Sequence, residues 1–98
     1  SRDDAPPEIK KTLVSLNMLI NKSASLYDNH DGVRVDLDLS GDLPKLQLDQ
    51  DAISRVLINL IKNAIEAKQG KTLLSINIKS TFKEKDSLVQ LTITDDGK

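Results

Sequence analysis

Three segments of the chain alternate between apolar and polar residues with a period of two. They span residues 33–39, 72–80 and 88–94, and their apolar positions are filled by Val, Leu and Ile. Successive side chains of a strand point to opposite faces, so each segment predicts a strand with one apolar face. The polar stretch 82–87 between the last two strands predicts a hairpin with a longer loop.

Two other segments have the periodicity of amphipathic helices. The first is predicted from about Glu8 to Tyr27, and the second begins after Asp49, a natural N-cap residue. Gly70 is placed to end the second helix, and residues 41–48 are predicted to be a connector. The predicted buried stripe of the second helix consists of Ile53, Val56, Leu57, Leu60, Ile61 and Ala64. The order helix, strand, helix, strand, strand predicts an α+β fold, a two-layer sandwich with helices on one face of a mixed or antiparallel sheet.

Composition limits the classes of function. The chain has 98 residues, enough for one domain, and we expect a leader or linker at 1–7 followed by the domain at 8–98. The net charge is −1 and aromatic residues are scarce, which argues against a nucleic-acid surface. No Cys is present, so disulfides and thiolate chemistry are excluded, which is compatible with a reducing compartment but does not establish one.

Asn59 and Asn63 are two amides four residues apart on the predicted second helix. Helical geometry places such residues one above the other, in a strip that flanks the buried stripe. An amide oxygen at a cleft edge is a hard neutral ligand of the kind that Mg²⁺ accepts together with water and phosphate oxygens. The same spacing is common on the polar border of ordinary amphipathic helices, and for this motif alone that alternative is favoured.

Asp95 and Gly97 follow the last predicted strand. A carboxylate fixed at a strand end can accept a hydrogen bond from an exocyclic amine such as that of adenine. Gly97 permits a backbone turn and a close approach to a ligand that a side chain would block. Taken by itself, the segment Asp95–Gly97 is also a common surface turn, which is the better interpretation without further context.

The linear order of these motifs resembles the ATP-binding domain of sensor histidine kinases. Leu48-Asp49 precedes the helical segment Val56–Ala67, a hairpin follows, and the chain then reaches Thr92–Gly97. Residues 59–67 look like the N box of that domain, and Asp95-Asp96-Gly97 looks like the opening of its first glycine box. The superfamily also contains gyrase, a heat-shock chaperone and mismatch-repair ATPases. The stretch Asn63–Ala67 is similar to nitrogen-regulation-type sensor kinases.

The resemblance implies ATP and Mg²⁺ as cofactors and a role for each site residue. Asn63 would be the magnesium ligand, and Asn59 would line the phosphate side of the cleft. Asp95 would accept from the adenine amine, and Gly97 would let the backbone turn against the base. Hydrolase branches of the superfamily carry a Glu where this chain has Asn59, so the resemblance points to phosphoryl transfer to protein.

The resemblance also implies what lies outside the 98 residues. The chain corresponds to the N-terminal portion of the domain and is expected to be inactive alone, because the second glycine of the first glycine box and the ATP lid do not follow. The implied partners are a dimerisation and phosphoacceptor domain with its His, and a response regulator; no nucleic acid is expected. The implied location is cytoplasmic, in a kinase that can be anchored in the bacterial inner membrane.

Two alternatives remain open. One is an ATPase or ATP-regulated chaperone of the same superfamily, which Asn59 disfavours. The other is an interaction module that keeps the sandwich but binds no nucleotide. We also expect an unpaired sheet edge and an apolar face near Val89, Leu91 and Ile93, covered through a homodimer, strand exchange or another partner.

Overall fold

The computed structural model describes residues 10–28, 32–68 and 73–96. The elements in chain order are β1 (Thr12–Val14), α1 (Leu16–Ser25), β2 (Val33–Leu39), β3 (Leu46–Leu48), α2 (Gln50–Glu66), β4 (Leu74–Lys83) and β5 (Leu88–Asp95). Within the described residues neither helix is long and apolar enough to cross a membrane.

The main sheet has three strands in the order β2–β4–β5, with β4 in the centre. Strand β2 runs parallel to β4, so that Val35 lies opposite Ile76, and β5 runs antiparallel to β4, so that Ile93 lies opposite Ile78. The predicted hairpin is therefore confirmed. Strand β4 extends further than predicted, through Lys83, and only residues 84–86 form the short 3₁₀ turn that leads to β5.

Burial alternates strictly along the first part of β4. The side chains of Leu74, Ile76, Ile78 and Ser80 are buried, whereas residues 75, 77 and 79 are exposed. The buried face packs with α1 and α2, and the opposite face is open to solvent. This is the two-layer α+β arrangement that the sequence predicts, with helices on one face of a mixed sheet.

Helix α2 begins where its sequence predicts. Asp49 is the N-cap residue, and its Oδ1 accepts a hydrogen bond from the backbone N–H of Ala52 at 3.1 Å. Asp51 adds a negative charge in the first turn, which the helix dipole favours. The helix ends at Glu66, and the predicted terminator Gly70 lies outside the described residues.

The predicted start of the first helix is wrong within the described residues. Residues 12–14 form β1 and pair antiparallel with β3, which lies in the segment predicted to be a connector. Ser15 then caps α1 by accepting the backbone N–H of Met18 at 3.3 Å. Thr12 and Val14 are β-branched and fit an extended strand better than a first helical turn, which explains the difference. The part of the predicted helix before Lys10 lies outside the described residues.

A polar network connects α1 to the ends of two strands. The Ser80 Oγ donates to Asn17 Oδ1 at 2.8 Å and accepts from the Ser40 N–H at 3.0 Å. The Asn17 Nδ2 donates to the Ser40 carbonyl at 2.7 Å. Ser80 is only 2% exposed, so its hydroxyl replaces solvent contacts with these two partners.

The two outer edges of the sheet differ. At β2 the backbone N–H of Val35 donates to the Asp28 carboxylate at 2.9 Å, so a side chain covers part of that edge. Among the described residues β5 has a partner strand on one side only. The open edge predicted near Leu91 is thus present, and the expected self-association through it stays a prediction.

Replacing Ser80 tests the importance of the polar network. We expect Ser80→Ala to lower the free energy of unfolding by about 1–3 kcal/mol, because the half-buried Asn17 Oδ1 loses its donor and the Ser40 N–H keeps only its bond to the Ser80 carbonyl. Urea unfolding followed by circular dichroism measures the change. The control is Asn77→Ala on the exposed face of the same strand, with an expected change within about 0.5 kcal/mol. Equal effects of the two substitutions would contradict a role for the network.

Candidate functional site

Two sides of α2 are covered by other elements. Leu57, Ile61 and Ala64 are buried in the core that includes Ile76 and Ile78 of β4. A second side faces α1, where a shallow pocket is lined by Lys22, Ser23, Leu26, Ser54 and Ile58. A second pocket further along the same side is lined by Tyr27, Lys62, Ile65 and Glu66. Ile58 is half-buried on this side of α2.

The third side of α2 is open. Val56 is 53% exposed and Leu60 is 42% exposed, so their predicted burial is wrong. At about 100° per residue these side chains lie on the side of the helix opposite Ser54 and Ile58. The main contacts of α2 are with α1 and β4, and α1 lies against β2. The apolar stripe is therefore wider than the surface that the described elements cover.

The order of the layers indicates that this open side of α2 lies toward the β5 edge of the sheet. In the sheet, β5 lies on the side of β4 away from β2, and α1 contacts β2 while α2 contacts β4. The apolar side chains of β5 that face the helices are half-buried, namely Val89, Leu91 and Ile93. We call this surface the α2–β5 cleft, with these three residues as its floor and Val56, Leu60 and Asn63 as its wall.

Asp95 lies at the end of the cleft floor. It is the last residue of β5 and lies directly opposite Ile76, whose side chain is buried against the helices. Because opposed residues of an antiparallel pair project to the same face, the Asp95 carboxylate stands on the helix-facing side of the sheet. Asn63 lies in the last turn of α2, and Asp95 lies opposite Ile76 near the start of β4, the next element in the chain. From this order of elements we infer that Asn63 and Asp95 lie toward the same end of the cleft.

The side-chain amides of Asn59 and Asn63 on α2 are both exposed, but they project from the helix in different directions. Asn63 belongs to the cleft wall, whereas Asn59 lies about 40° further round the helix and points away from the sheet. Neither side chain makes a hydrogen bond within the described part of the chain, so both amides can meet a ligand. Lys62 and Glu66 line the pocket beside Tyr27 on the α1 side and do not belong to the cleft.

The sequence predicts a single protein ligand for Mg²⁺, the side-chain amide of Asn63. Across residues 10–28, 32–68 and 73–96 no group of three or more His, Cys, Asp or Glu side chains is arranged to hold a metal ion. The exposed amide oxygen of Asn63 fits Mg²⁺ only where phosphate and water oxygens supply the remaining ligands. Gly97, the last predicted site residue, lies outside the described residues.

Sequence reasoning missed one residue that shapes the site. The Ser75 N–H donates to Asp96 Oδ1 at 2.9 Å, and the Asp96 N–H donates to the Ser75 carbonyl at 3.2 Å. Asp96 therefore holds the end of β5 against β4, next to Asp95. The available signal was an Asp directly after an alternating strand, because Asp side chains readily bond to nearby backbone groups at such ends.

Comparisons with known proteins show similarity over nearly the whole chain. The sensor histidine kinase ZraS of Escherichia coli strain K12 and that of strain O157:H7 are each 32% identical to it over 96 residues, which is 95% of this chain and 20% of the relative. A solved structure of full-length ShkA in complex with AMPPNP superposes with a TM-score of 0.78 at 19% identity, covering 95% of this chain and 20% of that one.

No protein-family model matches the chain. The chain spans about a fifth of the length of the curated relatives that it matches. The likeness to these kinases nevertheless confirms the resemblance predicted from the motifs around Asn63 and Asp95, and the structural superposition confirms the predicted fold class.

A matched pair of substitutions tests whether the Asn63 side of α2 is open. Leu57→Ala should lower the free energy of unfolding by about 2–5 kcal/mol, because Leu57 is fully buried. Leu60→Ala, on the cleft wall, should cost less than about 1 kcal/mol. Urea unfolding of both variants measures the difference. A Leu60→Ala variant as unstable as Leu57→Ala would show that the cleft is closed.

Proposed function

Taking the confirmed likeness to a sensor histidine kinase as the premise, we propose that the chain is part of the ATP-binding domain of such a kinase. The proposal is supported by the placement of Asn63 in the last turn of α2 and of Asp95 at the end of β5, opposite the start of β4, on two different layers of the fold. The AMPPNP bound to ShkA supports ATP as the ligand, since AMPPNP is an ATP analogue.

The phosphate end of the nucleotide is assigned to α2. Asn63 would supply one amide oxygen to Mg²⁺, whose role is to neutralise charge on the β- and γ-phosphates. Asn59, at the outer rim, would contact the phosphates or the phosphate-bound water through its amide. Lys62 faces α1, so α2 supplies no cation to the cleft from that position.

The base end of the nucleotide is assigned to the end of β5. The Asp95 carboxylate would accept a hydrogen bond from the exocyclic amine of adenine, and the turn at Gly97 would let the backbone approach the base. Val89, Leu91 and Ile93 form an apolar floor beside Asp95, and an aromatic base packs well on such a surface.

The chemistry assigned to the kinase is phosphoryl transfer. A His nitrogen of the phosphoacceptor domain would form a bond to the γ-phosphorus as the bond to the bridging oxygen of ADP breaks, and the phosphoryl group would pass on to a response regulator. The residues of this chain bind and orient the nucleotide. We further infer a cytoplasmic location for the domain, because ATP and the response regulator are there.

An ATPase or chaperone of the same superfamily is the second candidate. Hydrolysis needs a base that takes a proton from water, and the amide of Asn59 cannot accept that proton. An assay with labelled ATP and the phosphoacceptor domain separates the two: a kinase labels the acceptor His, and a hydrolase releases inorganic phosphate. Labelled inorganic phosphate without labelled acceptor would overturn the kinase assignment.

Asn63→Ala tests the metal assignment. In a polypeptide extended beyond Lys98 along its gene, we expect this change to weaken Mg-ATP binding by at least about tenfold, roughly 1.4 kcal/mol, and to leave magnesium-free ATP binding nearly unchanged. Titration calorimetry with and without a chelator measures both affinities. The matched control is Asn77→Ala, an amide on the open face of β4, which should bind Mg-ATP normally.

Three outcomes of this titration are informative. Loss of Mg-ATP affinity confined to Asn63→Ala supports the assignment. Equal affinities of Asn63→Ala and Asn77→Ala would remove Asn63 from the metal site. No binding of Mg-ATP by the unsubstituted polypeptide would eliminate both nucleotide-binding candidates and leave the interaction module.

A further inference from the structure

Two adjacent carboxylates end β5, and the structure gives them different surroundings. Asp95 lies opposite the buried Ile76, on the helix-facing side of the sheet. Asp96 lies beside Ser75, whose side chain is exposed on the opposite face. The alternation of strand faces therefore separates the two neighbours, and only Asp95 stands on the cleft side.

Asp96 uses its side chain where a strand would use its backbone. In a continued antiparallel ladder, the residues at positions 75 and 96 would exchange two N–H···O=C bonds. Here the Asp96 N–H still donates to the Ser75 carbonyl at 3.2 Å, but the Ser75 N–H donates to the carboxylate Oδ1 at 2.9 Å. The carboxylate takes the position of the backbone acceptor, so the chain can turn after Asp95 without leaving the Ser75 N–H unpaired.

We propose that Asp96 is a positioning residue for the recognition of adenine. It closes the β4–β5 ladder through the Ser75 N–H and so fixes the backbone on which the Asp95 carboxylate is carried. This inference rests on the proposed function, in which Asp95 accepts from the exocyclic amine. We assign Asp96 no contact with the nucleotide, because its Oδ1 is already bonded to the Ser75 N–H within the β4–β5 ladder.

The arrangement sets a requirement for residue type at position 96. The side chain must carry an acceptor oxygen on Cγ, so that it reaches the backbone N–H of the directly opposed residue, Ser75. Asp and Asn satisfy this requirement, because both present an Oδ1. Ala offers no acceptor, and the end of β5 then loses one of the two hydrogen bonds that hold it to Ser75.

Hydrogen exchange at Ser75 tests the structural half of the inference in the 98-residue chain. In Asp96→Ala the Ser75 amide should exchange at least about tenfold faster than in the unsubstituted chain, because it has lost its acceptor. Asp96→Asn should restore slow exchange. Thr94→Ala, an exposed position on the open face of β5, is the matched control and should leave Ser75 protected. Unchanged exchange in Asp96→Ala would overturn the inference.

Nucleotide selectivity tests the functional half, in the extended polypeptide. The two probes are ATP and purine riboside triphosphate, which lacks the 6-amino group. Asp96→Ala should weaken ATP binding by about tenfold and purine riboside triphosphate binding by less than about twofold, whereas Asp96→Asn should retain the preference for ATP. A merely structural role would weaken both probes equally, and that result would overturn the inference.

The failure of the proposed function gives a different result. If the unsubstituted polypeptide binds ATP and purine riboside triphosphate equally, Asp95 does not accept a hydrogen bond from the adenine amine. The role proposed for Asp95 is then wrong. If the unsubstituted polypeptide prefers ATP and Asp96→Ala keeps that preference, the function stands and only the role of Asp96 is wrong. Asp95→Ala, which should abolish the preference, provides the reference for a complete loss.

Discussion

Even-numbered and odd-numbered residues of the central strand β4 point to opposite faces of the sheet and form hydrogen bonds with different neighbouring strands. The rest of the structure depends on this alternation. The even-numbered residues of β4 from Leu74 to Ser80 are buried beneath the helices, and the ladder directs their backbone groups toward β2. Its odd-numbered residues from Ser75 to Lys79 are exposed and bond toward β5, as the contact between Ser75 and Asp96 shows. A one-residue shift of β4 would exchange the core for the solvent face and would carry Asp95 away from the helices.

Much of this fold could be predicted from periodicity. The three strands of the main sheet, the N-cap at Asp49 and the body of α2 follow from patterns that are local in sequence and strong. The pairing of β1 with β3 could not be predicted, because each is three residues long and is stabilised by a partner distant in the chain. The exposure of Val56 and Leu60 was also missed, since an apolar stripe does not indicate which part of it the other elements cover.

The site shows the same division. Asn63 and Asp95 were predicted from residue type and linear order, and the structure places one in the last turn of α2 and the other at the end of β5. That Asn59 points further from the sheet than Asn63 follows from the direction of each side chain around α2, which depends on how the helix packs on the sheet. The different surroundings of Asp95 and Asp96 could not be predicted from two identical neighbouring residues, because only the register with β4 shows which one lies opposite Ile76 and which one bonds to Ser75.

The parallel pairing of β2 with β4 has a consequence for the order of folding. Lys83 and Leu88 meet across a short turn, so the β4–β5 hairpin can close rapidly through local contacts. Val33 pairs with Leu74 only after the whole of α2 has been placed between the two strands, which requires the closure of a much longer loop. We therefore expect the strand end that carries Asp95 to form early, through local contacts. Asn63 is expected to take its final position relative to that strand later, when the non-local pairing of β2 with β4 forms.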